Sequence, residues 1–306
     1  MYEQIAANRR KTVLLILFSL VFSGGIGFLI AYLLFRTLAG AIFGLVLFVL
    51  LAGARAFYSF RYGDRIVLRQ TRATPVSHEQ EPRLHNIVEG LALAAGIPKP
   101  AVYVVPEKAP NAFATGRNPQ HSSVAVTQGL LDTMNRVELE GVIAHEMSHV
   151  RDHDILVGTI VATLVGTVVL LAEFMLRWMF WGGLGGGRGR RDGGEGEGFA
   201  ILAVLGIVFA IIAIVAAPII QLAMSRRREY LADAQGAMLT RYPPGLAGAL
   251  RKIAGDPTPM RVANNATSHL WIQQPSRIHG EENHWWENLF STHPPIQERI
   301  RILEEM

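Results

Sequence analysis

Along the chain, long uncharged apolar runs alternate with mixed polar segments. Four runs have about the length a helix needs to cross a bilayer's hydrocarbon core. Residues 12–35 and 37–53 carry no charge, residues 155–175 contain only Glu173, and residues 199–224 are again uncharged. Each predicts a transmembrane helix. The pattern divides the chain into an N-terminal transmembrane hairpin (1–56), a polar segment (57–154), a second hairpin (155–224) and a closing polar segment (225–306). Arg9-Arg10-Lys11 before the first run resembles the start of a signal peptide. The run is longer than the roughly 7–15 residues of a signal core and leads almost directly into another span, so an anchor is the better reading.

The single charged residue between the first two runs, Arg36, predicts a tight helical turn. Gly40 and Gly44 on the second span, with Gly24, Gly25 and Gly27 on the first, would allow the two backbones to approach closely; the alternative is that glycine is simply frequent in membrane helices. Within the polar segments, 101–105 and 122–127 alternate and are rich in β-branched residues, as short strands are. The glycine-rich stretch 188–198 reads as a loop.

Composition agrees with a membrane protein. Of 306 residues, 50% are hydrophobic and only 18% charged, against about a quarter charged in a soluble domain. Mean hydropathy is +0.26. The net charge of +4 comes from basic residues flanking the apolar runs, without interleaved aromatics, which points to membrane flanks rather than nucleic acid. Basic residues at the N-terminus, at 55–65 and at 226–228 all fall on one side, cytoplasmic by the positive-inside rule; Arg188, Arg190 and Arg191 oppose them from the other. There is no cysteine, which excludes disulfides, thiolate metal sites and a cysteine nucleophile.

The candidate chemistry lies at the end of the first polar segment, in His145-Glu-Met-Ser-His149. Histidines four apart share one helical face, a spacing that suits two imidazoles on one tetrahedral Zn2+, with Glu146 beside them to take a proton from water. His153 continues the pattern, but at 1.5 Å per residue it lies about 12 Å from His145 along a helix and cannot share the metal. A third ligand must come from elsewhere. Glu229 is the best candidate, and Asp233, again four residues on, is placed to accept the second N–H of a ligand histidine. The bland alternative makes both carboxylates solvated charges paired with Arg226–Arg228. Two crossings between His149 and Glu229 return the chain to the side it left, so both reach one metal.

These residues together resemble the HtpX family of membrane zinc endopeptidases, relatives of the Ste24 CAAX-type proteases. The resemblance rests on two N-terminal spans, Asn111-Ala-Phe-Ala-Thr-Gly116, His145-Glu-x-x-His149, two further spans, Glu229-Tyr-x-Ala-Asp233, and Thr292-His-Pro-Pro before a closing helix. It implies a mainly α integral-membrane protein of four transmembrane helices, with a zincin-like catalytic domain containing a small β-sheet. It implies one Zn2+ held by His145, His149 and Glu229, Glu146 as general base, and proteolysis of membrane or misfolded proteins in envelope quality control at a bacterial inner membrane. It also suggests Asn111, Ala112, Val124 and Val126 as substrate contacts along an edge strand, or else as plain structural strands and a turn. His293 and Arg299 are candidates to stabilise the oxyanion, or else a helix-entry residue and a surface charge.

Two rivals stand beside this reading. A metal transporter would place ligands inside its spans, and the four spans contain no histidine. A catalytically silent zinc protein, acting as a membrane-anchored binding or chaperone module, would close its site with a fourth ligand, for which His121 or His293 would have to serve. Oligomeric state is not legible.

Overall fold

The computed structural model describes residues 2–165, 226–263, 267–273 and 294–306. The remainder of the third apolar run with Glu173, the fourth run, the loop at 188–198 and His293 lie outside the described residues.

The first two runs form helices α1 (Tyr2–Phe35) and α2 (Leu38–Gln70), which pack as an antiparallel hairpin. Both are long and apolar enough to cross a membrane. Arg36 takes a left-handed conformation (φ 53°) and Thr37 caps α2, its hydroxyl accepting from the Gly40 N–H. Closest approach falls at Gly27 and Gly44, where an added Cβ would collide with the opposite backbone. Gly24 also faces α2, whereas Gly25 faces open space and Gly40 packs on its own turn at Phe35 and Thr37. Helix α2 does not stop where the polar pattern begins. It runs unbroken past Phe57 to Gln70, because Ala56, Ser59, Gly63 and Val67 give its second half a buried face at helical spacing.

A four-stranded mixed sheet follows, with β1 (Thr74–Pro75), β2 (Ala101–Val105), β3 (Ala112–Asn118) and β4 (His121–Thr127) in the order β1-β2-β4-β3. Helix α3 (Pro82–Ala95), with proline in its first turn and left-handed Gly96 at its end, joins β1 to β2. The period of two sorts the strands onto two cores. Val102, Val104, Ala112, Ala114, Val124 and Val126 face one cluster with α3 and the helices below. Val105, Phe113 and Ala125 face another with Val67 and Leu68 of α2 and Trp271. Phe113 and Trp271 meet edge to face at 4.7 Å. The segment 112–118, which lies between the two strands expected from alternation, is itself a strand. Its small residues hide the usual β signal, and both its faces are covered.

Helices α4 (Gln128–Thr133) and α5 (Arg136–Arg151) come next. A capping box starts α5: the Asn135 side chain accepts from the Glu138 N–H and Glu138 Oε2 from the Asn135 N–H, each at 2.9 Å. The helix ends at Arg151, and left-handed His153 (φ 60°) turns the chain into α6 (Asp154–Ile160). His153 is therefore off the α5 face altogether. Helix α6 continues as a π turn over Val161–Val165. Residues 155–163, the opening of the third apolar run, are buried against α1, α2 and β3. After residue 225 come α7 (Arg226–Thr240), α8 (Pro243–Gly255), a 3-10 turn at Ser268–Leu270 and α9 (Ile296–Glu304). Helices α7 and α8 lie directly on α5: at Gly141 an added Cβ would sit 2.6 Å from the Leu246 nitrogen, and at Gly236 3.0 Å from the His145 nitrogen.

Candidate metal centre

Close packing of α7 on α5 brings Glu229 to the two histidines. His145 Nε2 lies 3.2 Å from His149 Nε2 and 3.8 Å from Glu229 Oε2, and His149 Nε2 lies 3.6 Å from Glu229 Oε1. A tetrahedral ion with bonds of about 2.1 Å would set its ligands about 3.4 Å apart. The three edges bracket that value, so the donor set fits a metal ion of this kind. Among the described residues these three form a cluster able to hold a metal. Glu229 and Asp233 are 3% and 1% exposed, too buried to be solvated surface charges.

Each imidazole is fixed by a carboxylate on its other nitrogen. Asp233 Oδ1 accepts from His145 Nδ1 at 2.9 Å. Asp154 Oδ2 does the same for His149 Nδ1 at 3.2 Å. Both bonds hold the ring with Nε2 turned toward the cluster. Asp154 escaped the sequence reading because the left-handed turn at His153, invisible in a residue pattern, is what returns it to His149.

The electrostatics favour a cation. Burial lowers the His145 pKa. For His149 burial acts the same way, but the hydrogen bond to Asp154 and the charge of Glu229 outweigh it and lift the ring to about 9. A field that would hold a proton there suits a metal ion equally. Burial raises Glu146 to about 7, against the opposing charge of His149. Its carboxylate accepts a hydrogen bond from the backbone of Ala114 in β3. Ala114, His145, Glu146, His149 and Glu229 line one cavity, together with His269 and Ile272. His269, whose Nε2 lies 3.2 Å from the Gly158 carbonyl, is a second residue that nothing in the motifs indicated.

Other expected site residues lie elsewhere. Val124 and Val126 sit in β4, the strand paired on both sides, with β2 and with β3, and their side chains are buried. They offer a substrate neither edge nor surface. Asn111 clasps the chain's own Gln273, donating to its carbonyl at 2.7 Å and accepting from its N–H at 3.3 Å, and the Ala112 carbonyl accepts from the Ile272 N–H. The edge of the sheet is thus taken by residues 272–273 at that level. Arg299 is 1% exposed. Its Nε and Nη2 fork onto Asp233 at 2.8 and 2.7 Å, and Nη1 donates to the Ile272 carbonyl. With all three nitrogens engaged behind His145, Arg299 is neither a surface charge nor aimed at a substrate carbonyl. His121 is exposed on the β3–β4 turn against Asn118, away from the metal cluster.

The sequence profile of peptidase family M48 matches residues 78–306. The chain belongs to peptidase family M48. Over its whole length it is 47% identical to a protein named "Protease HtpX homolog" from Thermoanaerobacter pseudethanolicus, covering 98% of that relative. It is 41% identical to one of the same name from Listeria monocytogenes, with each chain fully covered. The crystal structure of S. mikatae Ste24p shares the fold at a TM-score of 0.50 and 17% identity, over 99% of this chain and 67% of that one. This M48 chain is accordingly a membrane metallopeptidase. It is mostly helical, with a small mixed sheet and two described helices fit to cross a bilayer.

Proposed function

We propose that the chain is a zinc endopeptidase that cuts membrane or misfolded proteins at the cytoplasmic face of a bacterial inner membrane, as part of envelope quality control. The observation that carries the chemistry is the 3.2–3.8 Å triangle of His145, His149 and Glu229 with Glu146 beside it. Two imidazoles and one carboxylate at tetrahedral spacing suit zinc. Zinc bound there supplies Lewis-acid polarisation of the scissile carbonyl and the attacking water. Glu146 takes the proton from that water on a carboxylate oxygen, then delivers it to the leaving amide nitrogen. Its pKa near 7 suits both steps. Asp233 and Arg299 hold His145 in place. Three protein ligands leave a coordination position for substrate, which favours an enzyme over a closed structural site.

The majority of the basic flanks supports the sidedness, and the likeness to proteases of the HtpX name supports the membrane setting. A substrate strand would enter at Ala114, beside Glu146, rather than at Asn111 or Ala112. Glu146→Gln is expected to retain one zinc per chain and to lose casein cleavage by roughly 10²- to 10⁴-fold. Metal analysis and a cleavage assay on the purified full chain check both halves. Undiminished cleavage by this variant overturns the assignment.

A further inference from the structure

Asp154 lies outside both metal-binding motifs, yet three parts of the chain converge on its carboxylate. His149 Nδ1 donates to Oδ2 at 3.2 Å, Arg228 Nη1 from α7 donates to Oδ1 at 3.0 Å, and Asn8 Nδ2 from α1 donates to the same oxygen. Asn8 also donates to the Asp152 carbonyl at 3.1 Å. It is 4% exposed, at the N-terminal end of the first membrane helix. An amide buried at that position is costly unless its donors are used. Here both go to the turn that returns Asp154 to the metal ligand.

A hydrogen bond from Nδ1 to a carboxylate fixes a ligand histidine's tautomer and ring orientation. On the His145 side, that carboxylate is Asp233, held by Arg299 from α9. On the His149 side it is Asp154, held partly from within the membrane hairpin. We propose that Asp154 and Asn8 are positioning residues of the metal centre, so that docking of the first membrane helix completes the support of His149. The proposal rests on the assignment of His145, His149 and Glu229 as metal ligands. It gives α1 a part in metal binding beyond that of an anchor.

The test titrates zinc into the full-length, metal-free chain in detergent micelles against a chromogenic chelator, and records the Co2+ absorption spectrum of each variant. Asp154→Ala is expected to weaken zinc binding roughly 10- to 100-fold, and Asp154→Asn, which keeps an acceptor oxygen for His149, by less. Asn8→Ala is expected to weaken it about 10-fold, at the low end of the same range, with a shifted Co2+ spectrum. Asn8→Ser, which keeps a donor, should recover part of the loss. Should an alanine variant fail to fold, Asp154→Asn and Asn8→Ser decide the question. Folded variants that lose thermal stability while binding zinc and Co2+ as the wild type does overturn the proposal. Wild-type binding that is indifferent to His149→Ala overturns the ligand assignment instead, so the two failures are distinct.

Discussion

At the scale of single residues, Arg299 shows how a charge can serve a metal site without touching a substrate. Its fork onto Asp233 neutralises a carboxylate buried behind His145. Burial alone would raise the Asp233 pKa, but the guanidinium and the His145 bond hold it at about 2. The folded-state value lies below the unfolded value of about 3.9. Stability from this group is therefore complete above about pH 4 and lost as pH falls toward 2. Arg299→Ala strands a buried anion and is expected to cost about 3–5 kcal/mol, read as a fall in Tm. An oxyanion role would instead lower kcat at unchanged Tm. Arg299→Lys should not restore the wild type, because an ammonium cannot fork onto a carboxylate.

At the scale of elements, the site depends on how closely two helices approach α5. Alanine in place of glycine within a helix ordinarily stabilises it by about 1 kcal/mol. At Gly141 the sign reverses: the new methyl meets the backbone of Leu246, and a cost of about 1–3 kcal/mol is expected for Gly141→Ala, measurable by thermal unfolding. The sequence made helix α5, its ligands and the Glu229–Asp233 pair legible because each rests on spacing within one helix. Strands β2 and β4 were legible for the same kind of reason, since alternation is a local signal. What escaped rests on the path of the chain between elements. The left-handed turn at His153 brings in Asp154. The small residues of 112–118 hide a strand whose partner alone reveals it. The burial of Arg299 depends on how α9 packs, not on anything in its own sequence.

At the scale of the whole molecule, the two membrane helices and the catalytic body form a continuous structure. Helix α2 runs from the apolar hairpin into the core under the sheet. Helix α1 reaches Asp154 through Asn8, where it meets Arg228 of α7. The N-terminal end of α1, the start of α6 and the start of α7 therefore stand together. The fold of a single hairpin thus bears on the metal. Gly44→Leu, which forces Gly27 and Ala31 away, is expected to loosen α1 from α2 and lower both Tm and zinc retention. A thermal melt and metal analysis of the purified chain check this.

Asn8 precedes Phe35 by 27 residues (35 − 8) in α1, about 40 Å along the helix axis at 1.5 Å per residue. The hydrocarbon core is about 30 Å thick. Were Arg36 to stand at one interface of an untilted span, Asn8 would lie about 10 Å beyond the opposite edge of the hydrocarbon, at headgroup depth. Mismatch with a thicker or thinner bilayer would then load the contact between Asn8 and Asp154, so acyl-chain length is expected to alter zinc retention by the chain in vesicles.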